Sequence, residues 1–162
     1  MNRRTFAAGL ALAVWALVGS AGFAVASEQV PVHGRLDGVE QVLAPPPHVV
    51  LVGTGGGMAS HLGRFTYSLD ATVDFTQLPP LGEGYLTLTA ANGDTLVAEI
   101  MGISTPIIPG VLLLIEEEAL VVGGTGRFAG ASGSFSITRL KYQETGQTIG
   151  CFDGTISSPG RK

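Results

Sequence analysis

Apolar and polar residues alternate without a break from Gly63 to Phe75. Phe65, Tyr67, Leu69, Ala71, Val73 and Phe75 share one parity, and Arg64, Thr66, Ser68, Asp70, Thr72 and Asp74 share the other. A period of two over this length is a strand with one covered face and one wet face. Similar runs recur between turn signals at Val30–Leu43, His48–Gly53, Gly84–Ala90, Thr95–Ser104, Val111–Val122, Ser132–Lys141 and Thr148–Ser157. Pro45-Pro46-Pro47, Pro79-Pro80, Pro106 and Pro109 mark breaks, because proline brings no donor to a ladder. The glycine run Gly53–Gly57 is expected to end the second strand.

The pattern therefore predicts eight strands and no helix between them, an all-β fold. An open sheet of eight strands would leave two unpaired edges, and closure into an antiparallel barrel removes them. The hairpin at Asn92-Gly93 allows a test of register. A two-residue turn would pair Leu86 with Glu99 and put a carboxylate on the apolar face. A three-residue loop, Asn92-Gly93-Asp94, pairs Leu88 with Ala98 and Leu86 with Ile100, keeping the faces separate. The longer loop is expected, with Gly93 in the left-handed conformation.

The first 26 residues follow different rules. Arg3 and Arg4 precede the apolar stretch Phe6–Val18, and Ala24-Val25-Ala26 is a small-x-small cleavage site. This is the form of a secretory signal, and the stretch is short for a membrane span. The expectation is export, secreted or periplasmic, by the general secretory route, with no stable membrane anchor. Arg3-Arg4-Thr5-Phe6 also fits a twin-arginine signal, which is the alternative route. Removal of 1–26 leaves one β-barrel domain at 27–162, with 7 basic and 13 acidic side chains. That balance argues against nucleic-acid binding, which draws on Lys and Arg. The single Cys151 excludes an internal disulfide framework.

Between the sixth and seventh strands lies Gly123-Gly124-Thr125-Gly126-Arg127-Phe128-Ala129-Gly130-Ala131-Ser132-Gly133. No helix follows it and no Gly-Lys-Ser/Thr occurs, so a phosphate cradle is the wrong reading. Small residues instead let the chain turn while Phe128 plugs the end of the core. This string resembles the turn shared by the allene oxide cyclase and dirigent families. Together with His61-Leu62-Gly63-Arg64-Phe65-Thr66 it also resembles small secreted bacterial proteins with that barrel. The resemblance implies an eight-stranded calycin-like barrel, trimeric in the plant families, that encloses a hydrophobic ligand. Plant members guide cyclisation or radical coupling of small apolar molecules. None of their active-site residues can be matched to positions here.

Candidate chemistry centres on Glu117. In the strand Val111–Val122 the odd positions form an apolar face that carries Glu117 inward, and Arg139 shares the inward face of the next strand with Phe135 and Ile137; Leu112, Leu114, Leu120 and Val122 are apolar too, and the opposite parity would leave Glu117 in solvent. A register pairing Val121 with Phe135 also pairs Glu117 with Arg139. Such a pair can hold a polar group of a ligand or move a proton, or serve as a structural ion pair. Phe65 and Tyr67, on the apolar face of the third strand, complete the expected ligand-binding set. His33, His48 and His61 lack metal-site spacing, no G-x-S-x-G elbow accompanies Ser60-His61, and no cofactor is implied. Asp70 and Asp74 read as solvated charges, and Cys151 as a small core residue or a partly covered thiol. The reading is an exported barrel that binds a small hydrophobic molecule or self-associates as a homo-oligomer. The alternative is a cyclase or isomerase acting on a small apolar substrate.

Overall fold

The computed structural model describes residues 28–157, 159 and 160. The export segment expected over 1–26 lies outside the described residues. Eight strands follow in chain order: β1 (Gln29–Ala44), β2 (His48–Ala59), β3 (Gly63–Asp74), β4 (Leu81–Ala90), β5 (Thr95–Ile108), β6 (Leu112–Gly124), β7 (Gly133–Tyr142) and β8 (Gln147–Ser157). Each pairs antiparallel with its neighbours in sequence, and β8 closes on β1, so the sheet is a complete barrel. The alternation explains which residues fill it. Val32 and Leu36 of β1, Phe65, Tyr67 and Leu69 of β3, Leu86 and Leu88 of β4, and Phe135 and Ile137 of β7 are all buried.

Several details of pairing differ from the sequence expectation: Pro106 does not mark a break, since β5 runs through it to Ile108 and it stands opposite Leu113 on β6. The run Gly53–Gly57 does not end β2, which stays paired to β1 and β3 as far as Ala59. Its glycines are there for space. A β-carbon on Gly55 or Gly57 would collide with the rings of Tyr67 or Phe65, and one on Gly34 of β1 with the ring of Phe152. Glycine in a strand commonly marks such a close approach. In the β4–β5 hairpin, Leu88 faces Leu96 and Leu86 faces Ala98. The three-residue loop is thus Ala91-Asn92-Gly93, one position earlier than expected, closed by Ala90 N–H donating to the Asp94 carbonyl at 2.9 Å. The pairing moves by two residues, so the faces are unchanged, and Gly93 is left-handed at φ 86°.

The two ends of the barrel are unlike. At the end carrying the β2–β3, β4–β5 and β6–β7 connections, aromatic rings fill the bore. Phe152 meets Phe135 at 5.2 Å and Phe65 at 6.1 Å between ring centroids. Phe128, from the 3-10 turn Gly126–Phe128, is buried as the plug. The Arg127 guanidinium lies 5.0 Å from the Phe128 ring centroid, and the Arg127 N–H donates to Asp94 of the facing hairpin at 3.3 Å. The opposite end, where β1–β2, β3–β4, β5–β6 and β7–β8 connect, has no such plug among the described residues and positions the site described next.

The space argument gives a direct test. Gly34→Ala should cost about 1–3 kcal/mol by urea unfolding, the range for overpacking a filled core. Adding Phe152→Leu to the same chain should return part of that loss, a positive coupling in the double-mutant cycle.

Candidate functional site

Four charged side chains point into the barrel at one level near the open end. Glu40 of β1 has the same inward parity as Val32 and Leu36, Glu117 lies on the inward face of β6, and Arg139 and Lys141 follow Phe135 and Ile137 along β7. Their side chains are all nearly buried: Glu40 0 %, Arg139 7 %, Glu117 9 % and Lys141 11 % exposed. Arg139 Nε and Nη2 donate to Glu117 Oε2 and Oε1 at 2.8 and 2.7 Å, a two-point fork. Its Nη1 pairs with Glu40 Oε1, and Glu40 Oε2 lies 2.6 Å from Lys141 Nζ. The order is therefore Glu117, Arg139, Glu40, Lys141, with signs alternating along the row.

Glycines make room for this row too. Glu40 lies against Gly53 on β2, Glu117 against Gly102 on β5, and Arg139 against Gly150 on β8. In each case the neighbouring strand has no side chain where the charged residue's stem passes. The expected pairing of Glu117 with Arg139 is present, but the register differs by two residues. Arg139 faces Ile115 and Glu117 faces Ile137, with Ala119 rather than Val121 opposite Phe135. The two charges meet on the diagonal, within reach of long side chains on one face.

Above the row opens a cavity of about 270 Å³. Val49, Leu51, Ala71, Val73, Ile100 and Ile103 form its apolar wall, and Glu40, Glu117, Arg139 and Lys141 its charged wall. Below the row the bore narrows to about 10 Å³ between Leu36, Tyr67, Leu86 and Ile137, room for one water at most. A larger depression of about 870 Å³ lies on the outer face between Val50, Tyr85, Met101 and Leu120, and is not part of the bore.

Burial sets the proton affinities of the row. Loss of water pushes the Glu117 carboxyl up to about 7, against the pull of the Lys141 charge. Desolvation and the adjacent Arg139 charge bring Lys141 down to about 8. Desolvation lowers Arg139 to about 10, so it remains a cation at neutral pH. Tyr67 is pushed up to about 12 by burial and by the Asp37 and Glu117 charges, and its hydroxyl has no hydrogen-bond partner among the described residues.

Of the four residues expected to bind a ligand, Glu117 and Arg139 line the cavity. Tyr67 lines the narrow space beneath them. Phe65 sits in the aromatic packing of the closed end, 2 % exposed and away from the cavity. Glu40 and Lys141 were not singled out in the sequence, although parity with Leu36 and with Arg139 places both inward. None of the three histidines lines the cavity. His48 is at the open end, 3.5 Å from Asp74, and His61 at the other end contacts the Pro31 carbonyl at 3.1 Å. His33 borders an outer-face depression beside Cys151. Cys151 is exposed rather than in the core, because β8 turns Thr148, Phe152 and Ile156 inward and Cys151 outward.

No family model and no curated protein matches the chain. Among solved structures it is similar to two pterocarpan synthase dirigent proteins, GePTS1 and PsPTS1. Both align with a TM-score of 0.59, at 15 % and 14 % identity, covering 83 % of this chain and 92 % and 97 % of theirs. The fold is thus a dirigent-like barrel.

Two measurements test the row. Arg139→Met strands two carboxylates, and should cost about 3–5 kcal/mol at pH 7 in urea unfolding. That loss should shrink on acidification, as the stranded groups take up protons. The second concerns Glu117, whose value in the folded protein, about 7, lies above its ordinary 4.5. The folded state holds this proton more tightly, so the contribution to stability is complete below 4.5 and is lost as pH rises through 7. Glu117→Gln cannot ionise, and the stability of the wild type relative to this variant should fall across that window.

Proposed function

We propose that this chain is an exported barrel that holds a small, largely apolar molecule in its open end, with one polar group of that molecule against the charged row. The observation that carries this reading is the cavity of about 270 Å³ with an apolar wall on one side and four buried charges on the other. Its size is near the lower end of small-molecule sites, which pair an apolar lining with a few placed polar groups. The signal pattern of the first 26 residues supports export, and an exported barrel would serve as a carrier or receptor for a poorly soluble compound. Self-association would use the outer face, where Tyr85, Met101 and Leu120 are exposed.

One observation favours a second reading, a cyclase or isomerase. The Glu117 carboxyl, held near 7 on the cavity wall, can give or take a proton at neutral pH. The structural neighbours are themselves named as synthases. Isomerisation leaves mass unchanged, so chromatography of the retained compound before and after incubation reads it.

Native mass spectrometry of protein from an exporting host tests the main reading. The expected species is a chain beginning at Ser27 with a small organic molecule bound non-covalently, and the same spectrum reports the number of subunits. Ala71→Trp, which fills the cavity, should lose the molecule while the far-ultraviolet circular dichroism stays that of a barrel. A wild-type barrel that carries nothing and is stabilised by no apolar compound would remove the proposal.

A further inference from the structure

We propose that Lys141 captures carbonyl compounds, its Nζ forming an imine with a small apolar aldehyde or ketone seated in the open end of the barrel. The inference rests on the reading of the cavity as a ligand site and adds the chemical class of the ligand. It begins from a scarcity. The sequence contains two lysines, Lys141 and Lys162. Lysine is ordinarily a surface residue, yet Lys141 lines the cavity with only 11 % of its side chain exposed.

A purely structural role would be better filled by arginine. Arg139 already bridges both carboxylates, and a second guanidinium could meet Glu40 through two points. What lysine has and arginine lacks is an amine that can lose its proton and act as a nucleophile. The surroundings favour that loss. Burial and the Arg139 charge lower Lys141 to about 8 against the pull of the Glu117 charge, and Glu40 Oε2, 2.6 Å from Nζ, is the acceptor within reach of its proton.

The step balances without any other reagent. The ammonium passes a proton to Glu40, and the nitrogen lone pair forms the N–C bond while the carbonyl π pair moves to oxygen. That oxygen takes the proton from Glu40 and becomes the carbinolamine hydroxyl. A second proton moves from nitrogen to the hydroxyl by the same carboxylate, the C–O bond breaks, and water leaves. Ammonium and carbonyl become protonated imine and water. The product nitrogen keeps its positive charge, so Glu40 keeps a cationic partner and the row stays neutral. Val49, Leu51 and Val73 surround the apolar body of the compound and limit the return of water, which would hydrolyse the imine.

The test uses the mature wild-type chain at pH 7.5 with 3-phenylpropanal and sodium cyanoborohydride, which reduces the imine to a stable secondary amine. Peptide mapping should place the adduct on Lys141 in about tenfold or greater excess over Lys162, given the larger neutral fraction of a lowered amine. An excess of 3-phenylpropan-1-ol, which has no carbonyl, should suppress it. Lys162→Arg should leave it unchanged, and the folded double variant Glu40→Gln/Lys141→Met should lack it. Saturation-transfer NMR with the alcohol alone reads the seat separately. Alcohol binding with adducts only at Lys162 or the N-terminal amine overturns the imine and leaves the ligand site standing. Failure of both overturns the ligand site and the imine together.

Discussion

The bore of an eight-stranded barrel is only about as wide as the side chains that fill it, and this limit shapes the whole molecule. A large ring can lean into the bore only where its partner on the neighbouring strand carries no side chain. Gly34 yields to Phe152, Gly55 to Tyr67 and Gly57 to Phe65. Rings then occupy one half completely. Toward the other end the wall includes Ala71, Gly82 and Gly102, and the one aromatic residue lining the cavity among the described residues, Phe75, is half-exposed at its mouth. The same economy of size that fills the closed end leaves the open end hollow.

The charged row obeys this limit and adds an electrostatic one. A buried ion pair is often no better for stability than apolar residues of the same volume, while a broken pair is costly. Four charges can therefore persist here only as a complete set. The alternation Glu117, Arg139, Glu40, Lys141 gives each cation a carboxylate partner, and the Arg139 fork ties β6 to β7 and reaches β1. Apolar residues would fill the same positions at less risk, which is the ground on which the proposal assigns the row to the cavity it faces. Groups held near neutrality beside a cleft are the common mark of a functional site.

Parity was legible in the sequence, and depth was not. Alternation from Gly63 to Phe75 identified the inward face of β3, and the same rule placed Glu117 and Arg139 inside. It could not say how far along the bore each residue lies, because that depends on register and strand tilt. Phe65 and Tyr67 therefore looked equivalent, whereas Phe65 belongs to the packed end and Tyr67 lies just below the charges. The register of β6 on β7 was two residues away from the expected one for a related reason. The long turn between them, with Phe128 folded under it, absorbs residues that no pairing rule counts. A slip of two keeps every face, so Glu117 and Arg139 still met. The glycines of β2 misled for a different reason: they signal a break by composition, but here they are the receiving surface for rings from β3.

The likeness to dirigent barrels at 15 % and 14 % identity follows from these same limits. Closure, alternation and matched large and small residues can be met by many sequences, so shared architecture survives when few residues are shared. Chemistry has no such tolerance. It depends on which side chains stand at one level of one open end, and a fold can host many activities there. In this chain the level is occupied by an alternating row with a lysine at its outer end, partnered by a carboxylate that is itself held by arginine. The lysine is the member whose charge can change hands without dismantling the row, because a protonated imine is still a cation. The proposed imine therefore falls at the position where a change of partner leaves the alternation of charge intact.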